Sequence, residues 1–360
     1  MTPAVTGTRR GRPFVAAIVA GVIASMLLAA CAPQAVRDHS AGSGVPAARA
    51  AKPRIDPAVA ARILAIDPER VTERDVRETL VHGPTPRVVL LHGGVFPVHL
   101  VMVSFGRFLM GMGYPEAKVR QPDRSFSISP YTDSTKVAGM LAWWYEHEGV
   151  RPMLVGHSQG GMLAVKLLHE LNGEYGSDIA VWNPQSDEAE PRTTIVDPLT
   201  GATRPVVGLS VASTLVVGAG GPSALLPNQW RVISRLRDIP DTTAEFVGYI
   251  IEVDLFAWTF SPAGVDQYTA RGQAKVRNVV LPGWYMHVTL PVTHHLADDP
   301  AMRDWLYAYS PGSEERRPPP FDSAADSALW AADVWYTIRK HWALEAQRAV
   351  RAQAERGAGR

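Results

Sequence analysis

The clearest candidate for chemistry in this chain is Gly156-His157-Ser158-Gln159-Gly160. A serine hydroxyl becomes an effective nucleophile only when a neighbouring base takes its proton and a third group orients that base. Composition alone would produce Gly-x-Ser-x-Gly roughly 0.14 times in a chain of this make-up, so context decides its meaning. An apolar strand, 152-PMLVGHS-158, precedes the serine, and a helix from Gly160 to Leu171 follows, with Gly173 as its stop signal. A tight strand-to-helix turn exposes a serine at the C-terminal end of a sheet, beside a helix N-terminus that favours a developing anion. Glycines at 156 and 160 leave room where side chains would meet neighbouring backbone. A second feature, 92-HGG-94, closes another apolar run, and Gly94 precedes Ser158 by 64 residues. That gap fits two strands and two helices.

The elements that must position these residues follow a βαβα order. Residues 87–94 read as a strand buried on both faces, His99 to Met112 as a helix, and 117–122 as a weaker strand. Thr132 to Glu148 reads as a helix capped by Asp133 or Ser134, and 178–184 as the next strand. The alternation predicts an α/β fold with a mostly parallel central sheet and helices on both faces. It breaks over 185–245, where Pro and Gly recur at short intervals. The stretch 193–208 reads there as two short β runs around a turn. This whole stretch is expected to be an inserted lid, and its apolar part, 209–227, suggests a hydrophobic substrate. Strands resume at 246–258 and 275–282. A helical segment occupies 321–360, leaving 55–320 as the main domain. The aromatic residues of the helices, Trp143, Trp144, Trp330, Trp335 and Trp342 among them, are read first as core.

On the Gly-x-Ser-x-Gly turn and the His-Gly-Gly strand end, the sequence resembles the α/β-hydrolase family. The resemblance implies a serine hydrolase of the esterase or lipase kind, acting on a carboxylic ester through an acyl-enzyme; thioesterases and acyltransferases share the machinery. It implies an oxyanion hole from the backbone N–H groups of Gln159 and of Gly94 or Val95. It implies a chain order of Ser, acid, His. Of the eleven histidines, His287, His294 and His295 lie late enough and outside helices. The stretch 288-VTLPVTHHLADDPAMRDWL-306 resembles the family's last-strand region, which favours His294; adjacent histidines cannot both point inward from an extended segment. His287 fits if 278-NVVLP-282 ends the last strand. Asp254, just after the apolar run 250-IIEVD-254, sits where the family's acid sits; Glu252, Asp266 and Asp241 are alternatives, and Asp254 also suits a helix cap. The interval from Asp254 to His294 is longer than the family's usual gap.

Arg9, Arg10 and Arg12, the apolar run 14–30 and the small residues before Cys31 have the order of an export signal. Leu28-Ala29-Ala30-Cys31 resembles the lipobox of bacterial lipoproteins, which implies cleavage after residue 30 and lipidation of Cys31, the chain's one cysteine. Residues 31–54, rich in Ala, Gly, Ser and Pro, read as a flexible tether. The expected location is the bacterial cell envelope, on a membrane surface facing away from the cytoplasm. A net charge of +1 argues against nucleic acid as a partner. No metal-ligand spacing and no phosphate or dinucleotide loop is present, so no cofactor is implied. The contrasting expectation is a non-catalytic envelope lipoprotein that uses the same scaffold for binding.

Overall fold

A computed structural model describes residues 55–94, 96–258, 267–312, 318–319 and 327–358. The signal sequence, Cys31, the tether, Val95 and Asp266 lie outside the described residues. The centre is a six-stranded parallel sheet. Its strands are β1 Val88–Leu91, β2 Ser127–Ile128, β3 Met153–His157, β4 Val211–Val217, β5 Thr243–Ile251 and β6 Lys275–Leu281. They lie side by side in the order β6-β5-β4-β3-β1-β2.

Alternation along each strand splits the apolar residues between two cores. Val88, Leu90, Met153 and Val155 face one core with Met102, Phe105 and Phe108 of helix α3, Phe96–Gly111. Val89, Leu91 and Leu154 face the other, packed on helices α4, Ser134–Glu148, and α5, Gln159–Leu171. Shorter helices α1, Pro57–Ala65, and α2, Glu73–Glu78, add Ile63 and Val76 to the first core. So does α6, Pro300–Ala308, through Met302 and Leu306. The last helix, α7, spans Ala328–Ala358 and buries Trp330, Trp335 and Trp342 there. Asp333 ties α7 to the sheet: it takes a two-pronged pair from Arg277, at 2.8 Å for each bond, and a 2.7 Å bond from the Tyr249 hydroxyl.

Two expectations change. Residues 185–245 are not one peripheral insertion, because Val211–Val217 is a fully buried strand between β3 and β5. A strand covered on both faces reads as an unbroken apolar run, which periodicity alone does not separate from an apolar lid segment. The expected hairpin within that stretch is present, pairing Thr194–Val196 with Thr203–Pro205. The strands expected at 117–122 and 178–184 do not join the sheet. Glu116–Lys118 is a 3-10 turn, and Trp182–Asn183 pairs only with Glu188–Ala189.

The helices after β1 and β3 lie on opposite faces, α3 against the first core and α5 against the second. Strand order therefore reverses between β1 and β3. That reversal opens a crevice at their C-terminal ends, the usual ligand position in open parallel sheets. Both Ser158 and His92-Gly93-Gly94 stand at its edge.

Candidate active site

Ser158 follows the last residue of β3 and precedes the first of α5, with φ 56° and ψ −124°. A non-glycine residue there carries strain, of the order of 1–3 kcal/mol, which the surroundings must hold. They do so through backbone. The Ser158 N–H donates to the Val217 carbonyl at 2.8 Å, fixing the turn to the end of β4. The flanking glycines are required by contact. A Cβ on Gly156 would stand 2.7 Å from the Gly160 carbonyl oxygen, and one on Gly160 would stand 2.2 Å from the Leu91 oxygen. Gly160 thus lets α5 seat directly on the end of β1.

The turn after β1 closes the other side. A Cβ on Gly93 would lie 3.1 Å from the Ser158 Cβ. The Tyr131 hydroxyl donates to the Gly94 carbonyl at 3.0 Å, anchoring this turn. The Gln159 side chain is fully buried beside Gly94, where a Cβ would approach its Oε1 to 2.0 Å. Gln159 opens α5, so its N–H has no acceptor within the helix. Of the expected oxyanion donors, Gln159 adjoins Ser158 in the chain and Gly94 packs on the Gln159 side chain, while Val95 is not among the described residues. His92 turns its Nδ1 to the Gly93 carbonyl at 2.6 Å, a contact within the turn.

Asp254 and His287 form a buried pair. The His287 Nδ1–H donates to Asp254 Oδ2 at 2.6 Å, which leaves Nε2 free to accept a proton. The second carboxylate oxygen accepts the N–H groups of Phe256 at 2.9 Å and Ala257 at 3.0 Å. Asp254 therefore caps a turn and orients a histidine at once. Burial pushes its carboxyl pKa up, but the His287 bond, the nearby imidazole and the two backbone donors outweigh it. The net displacement is below the usual carboxylate value. The His287 ring lies over Gly218, the residue after β4, where a Cβ would meet Cε1 at 2.6 Å. Gly218 directly follows Val217, the acceptor of the Ser158 N–H, so the imidazole and the serine share the end of β4.

This corrects the expected pairing of Asp254 with His294. His294 begins a 3-10 turn, His294–Ala297, and its Nδ1 is 2.9 Å from Ser104 Oγ on α3. Ser104 Oγ also accepts the N–H groups of Thr293 and His294, at 3.0 and 3.2 Å, so this serine and histidine hold a turn on α3. His295 is half-buried and edge-on to His294, with ring centroids 5.6 Å apart. The physical reason lies in the strands. β6 ends at Leu281, and the apolar stretch 288–292 is turn, so the histidine behind the last described strand is His287. Glu252 and Asp241 serve loops, accepting backbone N–H groups of Gly283 and of Gln273 and Ala274.

Sequence reasoning passed over His157. It is buried, and its Nε2–H donates to the His287 carbonyl at 2.8 Å, with ring centroids 5.0 Å apart. Burial, and then the neighbouring His287, push its pKa down to about 3, so the ring is neutral. A polar residue ending an otherwise apolar buried strand was the available signal.

Among the described residues, no group of three His, Cys, Asp or Glu side chains could hold a metal ion. Nor is any helix there long and apolar enough to cross a membrane. No protein-family model and no curated protein matches the chain.

Proposed function

We propose that this chain is a serine hydrolase of the α/β-hydrolase fold that cleaves a carboxylic ester, with Ser158 as nucleophile, His287 as base and Asp254 as its orienting acid. The observation that carries the proposal is the shared end of β4. Val217 holds the strained Ser158 turn, and Gly218 lies under the imidazole that Asp254 fixes through Nδ1. Strand order and the opposite placement of α3 and α5 support it, because they put both turns at the sheet's crevice.

In the reaction, Ser158 Oγ attacks the ester carbonyl carbon while His287 Nε2 takes the hydroxyl proton. The charged imidazole is stabilised by Asp254, which stays ionised. The oxyanion is held by the Gln159 N–H and an N–H from the turn after β1. His287 then protonates the departing alcohol oxygen as the C–O bond breaks, leaving an acyl-serine. Water, deprotonated by His287, attacks that acyl group and releases the acid and Ser158. His157 touches no reacting atom; it positions the His287 backbone.

A fluorophosphonate probe separates this from a scaffold used only for binding. The folded wild type is labelled and Ser158→Ala is not; an unlabelled wild type would refute the proposal. We further propose export and lipid attachment at Cys31 in the cell envelope. Radiolabelled palmitate is incorporated by the wild type and not by Cys31→Ser; equal incorporation would place any lipid elsewhere.

A further inference from the structure

We propose that the rim around Ser158 docks on a lipid bilayer, and that the ester is taken from that bilayer. The strands β4, β5 and β6 are neighbours, and among the described residues the loops leaving their C-terminal ends carry most of the large exposed apolar side chains. The loop after β4 exposes Leu225 and Trp230, each by more than 60%. The loop after β5 exposes Val253, Leu255 and Trp258, and the loop after β6 exposes Trp284 and Met286. The loops touch one another. A Cβ on Gly221 would collide with the Phe256 carbonyl, and one on Gly283 would stand 3.5 Å from Val253 Cγ2.

Charge supports a bilayer over water as the facing medium. No ionisable residue occurs from Gly220 to Trp230. From Val253 to Trp258 the only one is Asp254, and from Pro282 to Leu290 they are Tyr285 and His287, all three buried and Asp254 paired with His287. Glu252, just before Val253, is half-buried and accepts the Gly283 N–H. A rim with so few charges loses little ion hydration on entering a headgroup layer. Tryptophan, with an apolar body and one N–H, suits that layer. The chain before the domain permits the approach. Residues 31–54 reach at most about 80 Å, against a domain roughly 50 Å across, so an anchor at Cys31 lets any face meet the membrane. The substrate half of the proposal rests on the hydrolase reading; the docking half does not.

All ten tryptophans lie between 143 and 342, so tryptophan fluorescence reports on the folded domain and not on the N-terminal segment. The full chain on phosphatidylcholine vesicles with brominated acyl chains is expected to lose a clear fraction of its fluorescence. The combined variant Trp230→Ser, Trp258→Ser, Trp284→Ser is expected to lose little, with an unchanged circular dichroism spectrum. It is also expected to turn over a vesicle-embedded ester at least tenfold more slowly, while p-nitrophenyl acetate turnover stays within twofold. Equal quenching in the two proteins overturns the docking. So does a wild type found as two copies per nanodisc where the variant is single, since the rim would then meet a second copy. Ser158→Ala must quench like the wild type. Quenching without fluorophosphonate labelling sinks the hydrolase reading alone, and labelling without quenching sinks the docking alone.

Discussion

The two ends of the parallel sheet are built on opposite principles. At the N-terminal end charges are dense and paired. Glu345 on α7 accepts Arg151 at 2.7 Å and Arg348 at 2.6 Å, and Glu245 at the start of β5 meets His341 and Lys340, each at 3.1 Å. Burial pushes the Glu245 carboxyl up, but those two partners prevail and hold it down at about 2. A cavity of about 310 Å³ opens among these groups. At the C-terminal end the described rim carries few charges, its Asp254–His287 pair is buried, and Ser158 sits in a strained conformation. One end fastens α7 to the sheet. The other holds strain and exposed apolar surface, which serve stability poorly and suit the reaction proposed above.

Substitutions test this contrast. The largest effect is expected from His287→Ala, which should lower kcat for a p-nitrophenyl ester on the order of 10⁵-fold, while His294→Ala stays within about threefold. The reverse result would return the base role to His294. Asp254→Asn should cost about 10⁴-fold through loss of the correct tautomer. His157 should set a slope of stability against pH. Its folded pKa is depressed to about 3, so its contribution is complete above the unfolded value near 6.5. That contribution is lost as pH falls from 6.5 towards 3, because the unfolded chain binds a proton that the folded one refuses. His92 and His169, lowered chiefly by burial, add the same sign. Urea unfolding at pH 7.5 and 4.5 should show a few kcal/mol of loss in the wild type and about one proton less dependence in His157→Gln. At the opposite end, Glu345→Gln should destabilise by about 3 kcal/mol with catalysis intact, measured by urea midpoint and kcat. Smallest, Ser158→Gly should gain about 1 kcal/mol while abolishing turnover, since glycine carries no penalty at positive φ. A loss of stability there would show that the turn is not strained.

Sequence made the Ser158 turn legible because its rules are local. Gly156 and Gly160 are required by backbone approaches of 2.7 and 2.2 Å, and the strand before and the helix after carry their own signals. Asp254 was legible as the end of an apolar run. Its partner was not, because choosing it depended on which run is the last strand. β6 has only half-buried residues through most of its length, whereas Leu290, in a turn, is fully buried. A short apolar run does not distinguish an edge strand from a buried turn. The two-residue strand β2 escaped for a similar reason: its place comes from pairing with Leu90 and Leu91, not from its own pattern. His157 was hidden because its function is a bond to the backbone of a residue 130 positions away.

Helix α7 gives the molecule a direction in time. Trp330, Trp335 and Trp342, together with Ile338, fill the face of the sheet that α1 and α3 also cover. A ribosome makes those side chains after every strand of the sheet. Until then the apolar half of β1, β3 and β5 lacks its cover, and Arg151 and Arg277 lack their carboxylates. Nascent chains that end before α7 therefore cannot finish this domain. Closure therefore waits on a helix made after all six strands, so the sheet exists as chain before it can exist as a finished domain.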